Sequence, residues 1–311
     1  MAAARTAVTA HGRELSLSNL DKVLYPETGF TKGDVVDYYQ AIGEVLVPHV
    51  RGRATTLVRC PEGVDGQRFF EKMCPKHRPD WVETLDIWAP GPKRTVRYCR
   101  IDEPAALVWT AQLAALELHP GLLRADDRDT PTHLVVDLDP GEPAGLLECA
   151  RVAQLVAERL GRGGLACLPK VSGSKGIQVL APLAPPCDFD QLRQVALALA
   201  EGLAADHPDL IVTNMRKDLR PGKILIDWSQ NSPFKTTVAT WSLRARARPW
   251  ASVPVTWDEL AAALAADDPQ RLRFEAPQAL ERAKQGDPMA EAFAHPDPLP
   301  PSETLASDPP G

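Results

Sequence analysis

The chain has 311 residues, 44% of them hydrophobic, and a net charge of -6, enough apolar content for one large domain or two joined modules. Charged residues or proline interrupt every apolar run well short of a bilayer span, and the N-terminus MAAARTAVTA lacks a signal peptide's apolar core, so the sequence argues against a membrane protein. The acidic balance argues against a generic nucleic-acid binder, but it is uneven: residues 1–124 carry a net +1 and residues 263–311 a net -5, and an acidic tail can hide a basic face in the sum.

Residues 1–13 read as an N-terminal extension. Thr31-Lys-Gly-Asp34 caps a predicted helix over 34–48, with apolar residues at Val35, Tyr38, Tyr39, Ile42 and Val45. A strand is predicted over 54–59, then the turn 61–66 and the run Arg68-Phe-Phe-Glu-Lys72. On residue type alone Phe69 and Phe70 read as core, and Lys22 and Lys32 as solvated charges. Residues 103–118 are apolar and rich in Ala and Leu, ending in Glu117-Leu-His119-Pro120. Six cysteines stand at 60, 74, 99, 149, 167 and 187, with no CxxC pair. Cys74-Pro-Lys-His77 is the only ligand-like spacing, and it lacks the second pair a zinc site needs. The expectation is scattered reduced thiols and a cytoplasmic protein.

From residue 132 the pattern sharpens. LVVDLD (134–139) is a short β-branched strand stopped by Pro140-Gly141, and 145–160 reads as a helix with Gly161 past its end. CLPKVS (167–172) and IQVLAP (177–182) read as strands joined by Gly173-Ser-Lys-Gly176; a helix over 190–205 and the strand KILIDW (223–228) follow. The order β-α-β-β-α-β is the split βαβ arrangement of ferredoxin-like and RNA-recognition folds, so the expected fold class is α+β. Its sheet order, 4-1-3-2, places the first strand between the fourth and the third. A closing segment spans 249–264, with a helix from Trp257. Residues 286–311 hold seven Pro, five acids and no Lys or Arg, and a mostly disordered tail is predicted. The expected organisation is a domain over 14–265, divided at 130/131 into an N-terminal mixed module and a catalytic module, with an acidic tail over 266–311.

Asp137 and Asp139 are two apart on a strand, so both side chains leave one face while Val136 and Leu138 face the core. Asp227 and Leu225 likewise share a face. If the first and fourth strands are neighbours, three carboxylates meet on one patch, and their repulsion favours cations. Two divalent ions there suit a phosphoryl transfer. The plainer alternative is an acidic pair that just precedes a turn. In Ser172-Gly-Ser-Lys-Gly176, two glycines permit close backbone approach, amide N–H groups can form an anion nest, and Lys175 adds charge; an ordinary Gly-rich hairpin turn is the alternative. Arg244 and Arg246 alternate in a segment expected to be extended, which would put both guanidiniums on one face and suit phosphate; a solvated edge strand is the alternative.

The runs DKVLYP (21–26), TKGDVVDYY (31–39), RCPEGVDGQRFFEK (59–72), LELHP (116–120), LVVDLDPGE (134–142), SGSKGIQV (172–179), ILIDWSQN (224–231) and SLRAR (242–246) together resemble the primase-polymerase domain of bacterial ATP-dependent DNA ligase D, within the archaeo-eukaryotic primase superfamily. The likeness covers about residues 14–262, in order and with similar spacing. It implies a primase-like catalytic module and a template-directed polymerase that fills gaps and extends broken DNA ends in non-homologous end joining. It implies Mn²⁺ or Mg²⁺, two ions, with NTP or dNTP as substrates and ribonucleotides preferred. Implied partners are DNA ends and gapped duplex bearing a 5′-phosphate, Ku and a DNA ligase, in a bacterial, nucleoid-associated setting. By resemblance Asp137, Asp139 and Asp227 are metal ligands, and His119, Ser172, Lys175 and Arg244 contact the triphosphate. Arg246 and Gln230 lie in matching motifs, Lys22 and Lys32 match lysines for the 5′-phosphate, and Phe69 and Phe70 match an aromatic pair near nucleotide and template. The family usually has His where this chain has Gln178, a position within expected reach of the triphosphate. The sequence shows no ligase or nuclease motif, as expected of a stand-alone relative or of the domain alone. A non-catalytic end-bridging module and a de novo primase are the competing functions.

Overall fold

In a computed structural model of the chain, residues 5–89, 91 and 93–306 are described. They fall into two units, one of Met1–Gly121, Thr236–Ser252 and Phe274–Gly286, the other of Leu122–Lys235, Val253–Arg273 and Asp287–Gly311. The boundary expected at 130/131 therefore lies at 121/122, and neither unit is one continuous stretch.

In the first unit, β1 (Arg5–Ala10) and β2 (Arg13–Ser18) form an antiparallel hairpin. It takes in most of the expected extension, of which residues 1–4 lie outside the described residues. β3 (Val23–Tyr25) and β4 (Phe30–Thr31) lead into α1 (Lys32–Val50). Thr31 accepts the Asp34 N–H and Asp34 accepts the Thr31 N–H, so the expected cap holds and the helix starts two residues early. Tyr38, Tyr39 and Ile42 are buried along it. β5 (Thr55–Arg59), β6 (Phe69–Glu71), β7 (Thr84–Ala89) and β8 (Arg94–Cys99) make a sheet in the order β6-β5-β8-β7. The apolar run 103–118 divides into α2 (Pro104–Gln112), opened by proline at its first turn, and β9 (Ala115–Pro120), which pairs with β5.

One expectation about the cysteines fails. Cys74 and Cys99 form a disulfide that ties the segment after β6 to the end of β8. The partners are 25 residues apart and outside any CxxC motif, so local spacing carried no sign of it. The bond also removes Cys74 from the Cys74/His77 ligand spacing. Cys60, Cys149, Cys167 and Cys187 remain free.

The second unit is built on β10 (His133–Pro140), α3 (Leu146–Arg162), β11 (Leu168–Val171), β12 (Ile177–Ala184), α4 (Phe189–Asp206), β13 (Ile211–Val212), β14 (Ile224–Asp227) and β15 (Val253–Pro254). The sheet order is β13-β14-β10-β12-β11-β15. The four expected strands thus stand in the expected order, with one short strand added at each edge. β10 is antiparallel to both β12 and β14. Leu134, Val136 and Leu138 are fully or almost fully buried, and α3 and α4 both pack on β10. α3 ends at Arg162 with Gly163 as its cap, two residues beyond the expected Gly161. α5 (Trp257–Ala266) follows, capped by Thr256, and α6 (Ala276–Ala283) belongs to the first unit. No helix among the described residues is long and apolar enough to cross a membrane.

The tail is not disordered as expected. α7 (Pro288–Phe293), β16 (Asp297–Pro298) and α8 (Glu303–Ala306) are laid against the second unit. β16 pairs in parallel with the end of β12. Met289 and Leu305 are fully buried, Asp297 accepts the Ala166 N–H, and Arg159 donates to the Leu305 carbonyl. A Cβ on Gly202 would lie 2.0 Å from the Ala306 carbonyl oxygen, so the close approach of α8 to α4 needs glycine there. Composition misled because two deeply buried apolar side chains and a few backbone hydrogen bonds suffice to dock a Pro-rich strap. The final residues, 307–311, lie outside the described residues.

Candidate active site

The sheet register builds the carboxylate face of the second unit. Asp137 on β10 stands opposite Asp227 on β14 and, on the other side, opposite Gln178 on β12. Gln178 in turn stands opposite Lys170 on β11. One row across four strands therefore reads Asp227, Asp137, Gln178, Lys170, and Asp139 follows Asp137 on the same face. Directly opposed acids repel, and the structure meets that repulsion locally. Gln178 Nε2 donates to Asp137 Oδ1 at 3.0 Å. Asp227 accepts from the Ser229 N–H at 3.1 Å, the Ser229 hydroxyl at 2.6 Å and Gln230 Nε2 at 2.8 Å. Asp139 pairs with Arg220. Burial pushes the Asp137 carboxyl up to about 6; the Gln178 hydrogen bond opposes this, while the charges of Asp227 and Asp139 add to it.

Each acid is thus turned to its own donor. Among the described residues no three acid, histidine or cysteine side chains are gathered into a ready cation cage. The backbone convergence expected of the three acids is present; the gathering of their oxygens is not. The donor set still fits a hard divalent cation. It is all oxygen, and the Oε1 atoms of Gln178 and Gln230 are buried without a hydrogen-bond partner.

The turn 172–176 sits where expected, at the end of β10. A Cβ on Gly176 would lie 2.1 Å from the Leu138 carbonyl oxygen, so only glycine lets the turn close on the strand that carries Asp139. Gly173 adopts φ +67°. The N–H groups of Ser174 and Gly176 both approach Ser172 Oγ at 3.3 Å; the expected nest is here filled by its own hydroxyl. Lys175 is exposed and pairs with Glu142 at 2.7 Å.

In the first unit, His119 and Arg244 meet on one carboxylate. Glu117 Oε2 is 2.6 Å from His119 Nε2, and Oε1 lies 3.2 Å from Arg244 Nε while accepting the Ala245 N–H at 2.8 Å. Burial alone would push the Glu117 carboxyl up, but the His119 hydrogen bond and the Arg244 charge hold it down at about 2. Arg246 does not share this setting. The chain bends after Arg244, with the Arg246 N–H donating to the Arg244 carbonyl, and Arg246 is exposed where Arg244 is buried. The expected shared face of the two guanidiniums is therefore absent, because the segment is a bend and not a strand.

Phe69 and Phe70 are 44% and 70% exposed. They are not core, since β6 is an edge strand and leaves both faces open. Nor is Lys32 solvated: it is buried and donates to the Ser18 carbonyl at 2.8 Å. Burial, with the charges of Lys22 and Arg59, lowers its pKa to about 8. Arg59 is also the cross-strand partner of Phe69 and pairs with Glu71 at 2.6 Å, so Lys32, Lys22 and Arg59 with their two glutamate partners adjoin the exposed aromatic pair. Lys22 pairs with Glu62 at 2.8 Å.

The sequence reading missed Glu117, Arg220, Lys170 and Arg59. Glu117 had a usable signal, since it lies two residues before His119 on one strand and must share its face. Arg220 had none, because its loop meets Asp139 only in the folded sheet.

The model of the LigD primase-polymerase domain matches residues 31–289. The chain belongs to this family. It is 39% identical over 289 residues to the multifunctional non-homologous end joining protein LigD of Mycobacterium bovis, which covers 90% of this chain and 37% of that protein. To the LigD of Mycolicibacterium smegmatis it is 41% identical over 263 residues, 83% of this chain and 34% of that protein. The chain thus spans little more than a third of these relatives. The solved polymerase domain from Mycobacterium tuberculosis ligase D in complex with DNA is 38% identical with a TM-score of 0.82, covering 91% of this chain and 99% of that one. The resemblance and the mixed α and β primase-polymerase fold expected from the motifs are borne out.

Proposed function

We propose that this LigD-type domain is a template-directed nucleotidyltransferase that fills gaps and extends broken DNA ends in non-homologous end joining, with ribonucleotides preferred. The observation that carries the reading is the register that sets Asp227 directly opposite Asp137, with Asp139 next on the same face. An inactive end-bridging module has no need to keep so costly an acidic row.

Asp137, Asp139 and Asp227 would hold two divalent ions, Mg²⁺ or Mn²⁺, which supply charge neutralisation for the attacking and leaving oxygens when bound. Lys175 and Ser172 suit the triphosphate, Lys175 through an exposed charge whose carboxylate partner is equally exposed and readily exchanged. In the first unit His119 and Arg244, with the exposed Arg246 as an accessory group, suit phosphate oxygens; in the second, Gln230 is the accessory group beside Asp227. The exposed Phe69 and Phe70 offer stacking faces to bases. Lys22 and Lys32, with Arg59, form a cation cluster whose mutual repulsion a 5′-phosphate would relieve. Partners in this reading are gapped and broken DNA, Ku and a DNA ligase, in a bacterial cytoplasm at the nucleoid.

The test is extension of a labelled, 5′-phosphorylated gapped duplex with Mn²⁺ or Mg²⁺ and each NTP or dNTP. Template-directed addition with NTP favoured supports the proposal. DNA binding without any addition under all metals would return the chain to an end-bridging role, and synthesis on unprimed single strands would make it a primase.

A further inference from the structure

Glu117 is a buried acid for which the reaction described above has no direct use. Its two oxygens are divided between two different candidate ligands of the nucleotide: Oε2 on His119 Nε2 at 2.6 Å, Oε1 beside Arg244 Nε at 3.2 Å. The Ala245 N–H fixes Oε1 at 2.8 Å. The surroundings clamp this arrangement from three further sides. The Ser242 hydroxyl accepts the Leu118 N–H at 3.0 Å, tying the strand of Glu117 and His119 to the segment of Arg244. Tyr39 Oη donates to the Leu116 carbonyl at 2.8 Å and accepts the Leu243 N–H at 3.3 Å. Tyr25 Oη donates to the Arg244 carbonyl at 3.0 Å. All these groups lie in one unit. A carboxylate with such partners stays ionised; it holds the ring by a hydrogen bond and the guanidinium by charge at close range.

We infer that Glu117 is a positioning residue: one buried carboxylate that orients the His119 imidazole and the Arg244 guanidinium as a single anion-binding pair for the incoming nucleotide. It touches no substrate. It sets the geometry of the two groups that do, and it neutralises part of the Arg244 charge before the triphosphate arrives. This rests on the reading of His119 and Arg244 as triphosphate contacts, so the two must be tested apart.

The experiment is steady-state extension of the gapped duplex by His119→Ala, Arg244→Ala, Glu117→Gln, Glu117→Asp and the double variant Glu117→Gln/His119→Ala. Each is checked by thermal melting. Glu117→Gln keeps the size and the acceptor for Ala245 but loses the charge, so the KM for NTP should rise about tenfold with kcat within about twofold of wild type. Glu117→Asp keeps the charge with a shorter reach and should fall between the two. The double variant should cost less than the sum of the two single variants, since Glu117 acts partly through His119 and retains only its effect on Arg244 once the ring is gone. If His119→Ala and Arg244→Ala leave KM unchanged, the reading of the nucleotide contacts fails. If those two raise KM but a folded Glu117→Gln does not, or if the double variant is fully additive, the inference about Glu117 fails while that reading stands. Should Glu117→Gln melt below the assay temperature, Glu117→Asp decides: a KM equal to wild type overturns the inference.

Discussion

Asp137 has a carboxylate on one side and an amide on the other, and it is the point where the acidic row is most constrained. Replacing Asp137, Asp139 or Asp227 by Ala should cut nucleotide addition by at least about a hundredfold, with DNA binding retained, since cation-assisted charge stabilisation contributes several kcal/mol. Extension and gel-shift assays on the same preparations check this, and a variant with near wild-type rate would not be part of the site. Gln178 calls for a different expectation. Its amide donor is committed to Asp137, so its loss should act through that acid. Gln178→Ala should lower kcat by about fivefold, the worth of one neutral hydrogen bond, with less change in KM for NTP. A KM effect alone would instead make Gln178 a triphosphate contact. At this scale the acids were legible because strand alternation depends only on sequence. Arg220 was not, since its pairing with Asp139 depends on a loop whose path no local pattern encodes.

Elements divide in the same way. The cap at Thr31 and the glycine turn against β10 follow from short-range rules, and the strand order of the second unit's sheet from the β-α-β-β-α-β order of its elements; all were legible. The bend after Arg244 was not: SLRAR alternates like a strand, yet the Arg246 N–H turns back to the Arg244 carbonyl. Exposure of Phe69 and Phe70 was hidden too, because an edge strand and a central strand share one composition. The group of Lys22, Lys32 and Arg59, the last of them opposite Phe69, supports a prediction about pH. Lys32 has its pKa lowered to about 8, by burial first and then by its two cationic neighbours. A 5′-phosphate favours the charged form. Discrimination between gaps with and without that phosphate should therefore be full near pH 7 and decline as pH rises through about 8. In Lys32→Ala the discrimination should be weak at every pH. Fluorescence anisotropy with paired duplexes from pH 6.5 to 9.5 measures this, and a wild-type preference that stays flat to pH 9.5 would remove Lys32 from the phosphate site.

At the scale of the whole molecule, sequence patterns lose their hold on contacts between distant segments. The Cys74–Cys99 disulfide and the docking of residues 287–306 are both of that kind. The docked strap makes the largest testable claim. Met289 and Leu305 are fully buried, and burying each such side chain stabilises by about 1.5–3 kcal/mol. Phe293 packs edge-on against His133 at 5.1 Å, and removing α8 strips the Leu305 carbonyl from Arg159, whose guanidinium also donates to Asp206. A loss of one hydrogen-bond acceptor from a buried guanidinium adds to the cost. Deleting 287–311 should therefore lower the melting temperature by on the order of 10 °C, taking a few degrees per kcal/mol for a unit of this size. The acidic composition would predict no change at all. Two point variants separate docking from chain length. Leu305→Ala empties the buried pocket, and Gly202→Ala places a methyl 2.0 Å from the Ala306 carbonyl oxygen, so each should reproduce part of the loss in the full chain. Limited proteolysis should then cut within 287–306 in both variants and not in the wild type. A truncated chain that melts with the wild type would show that the strap adds nothing, and the Met289 and Leu305 contacts would have to be discounted.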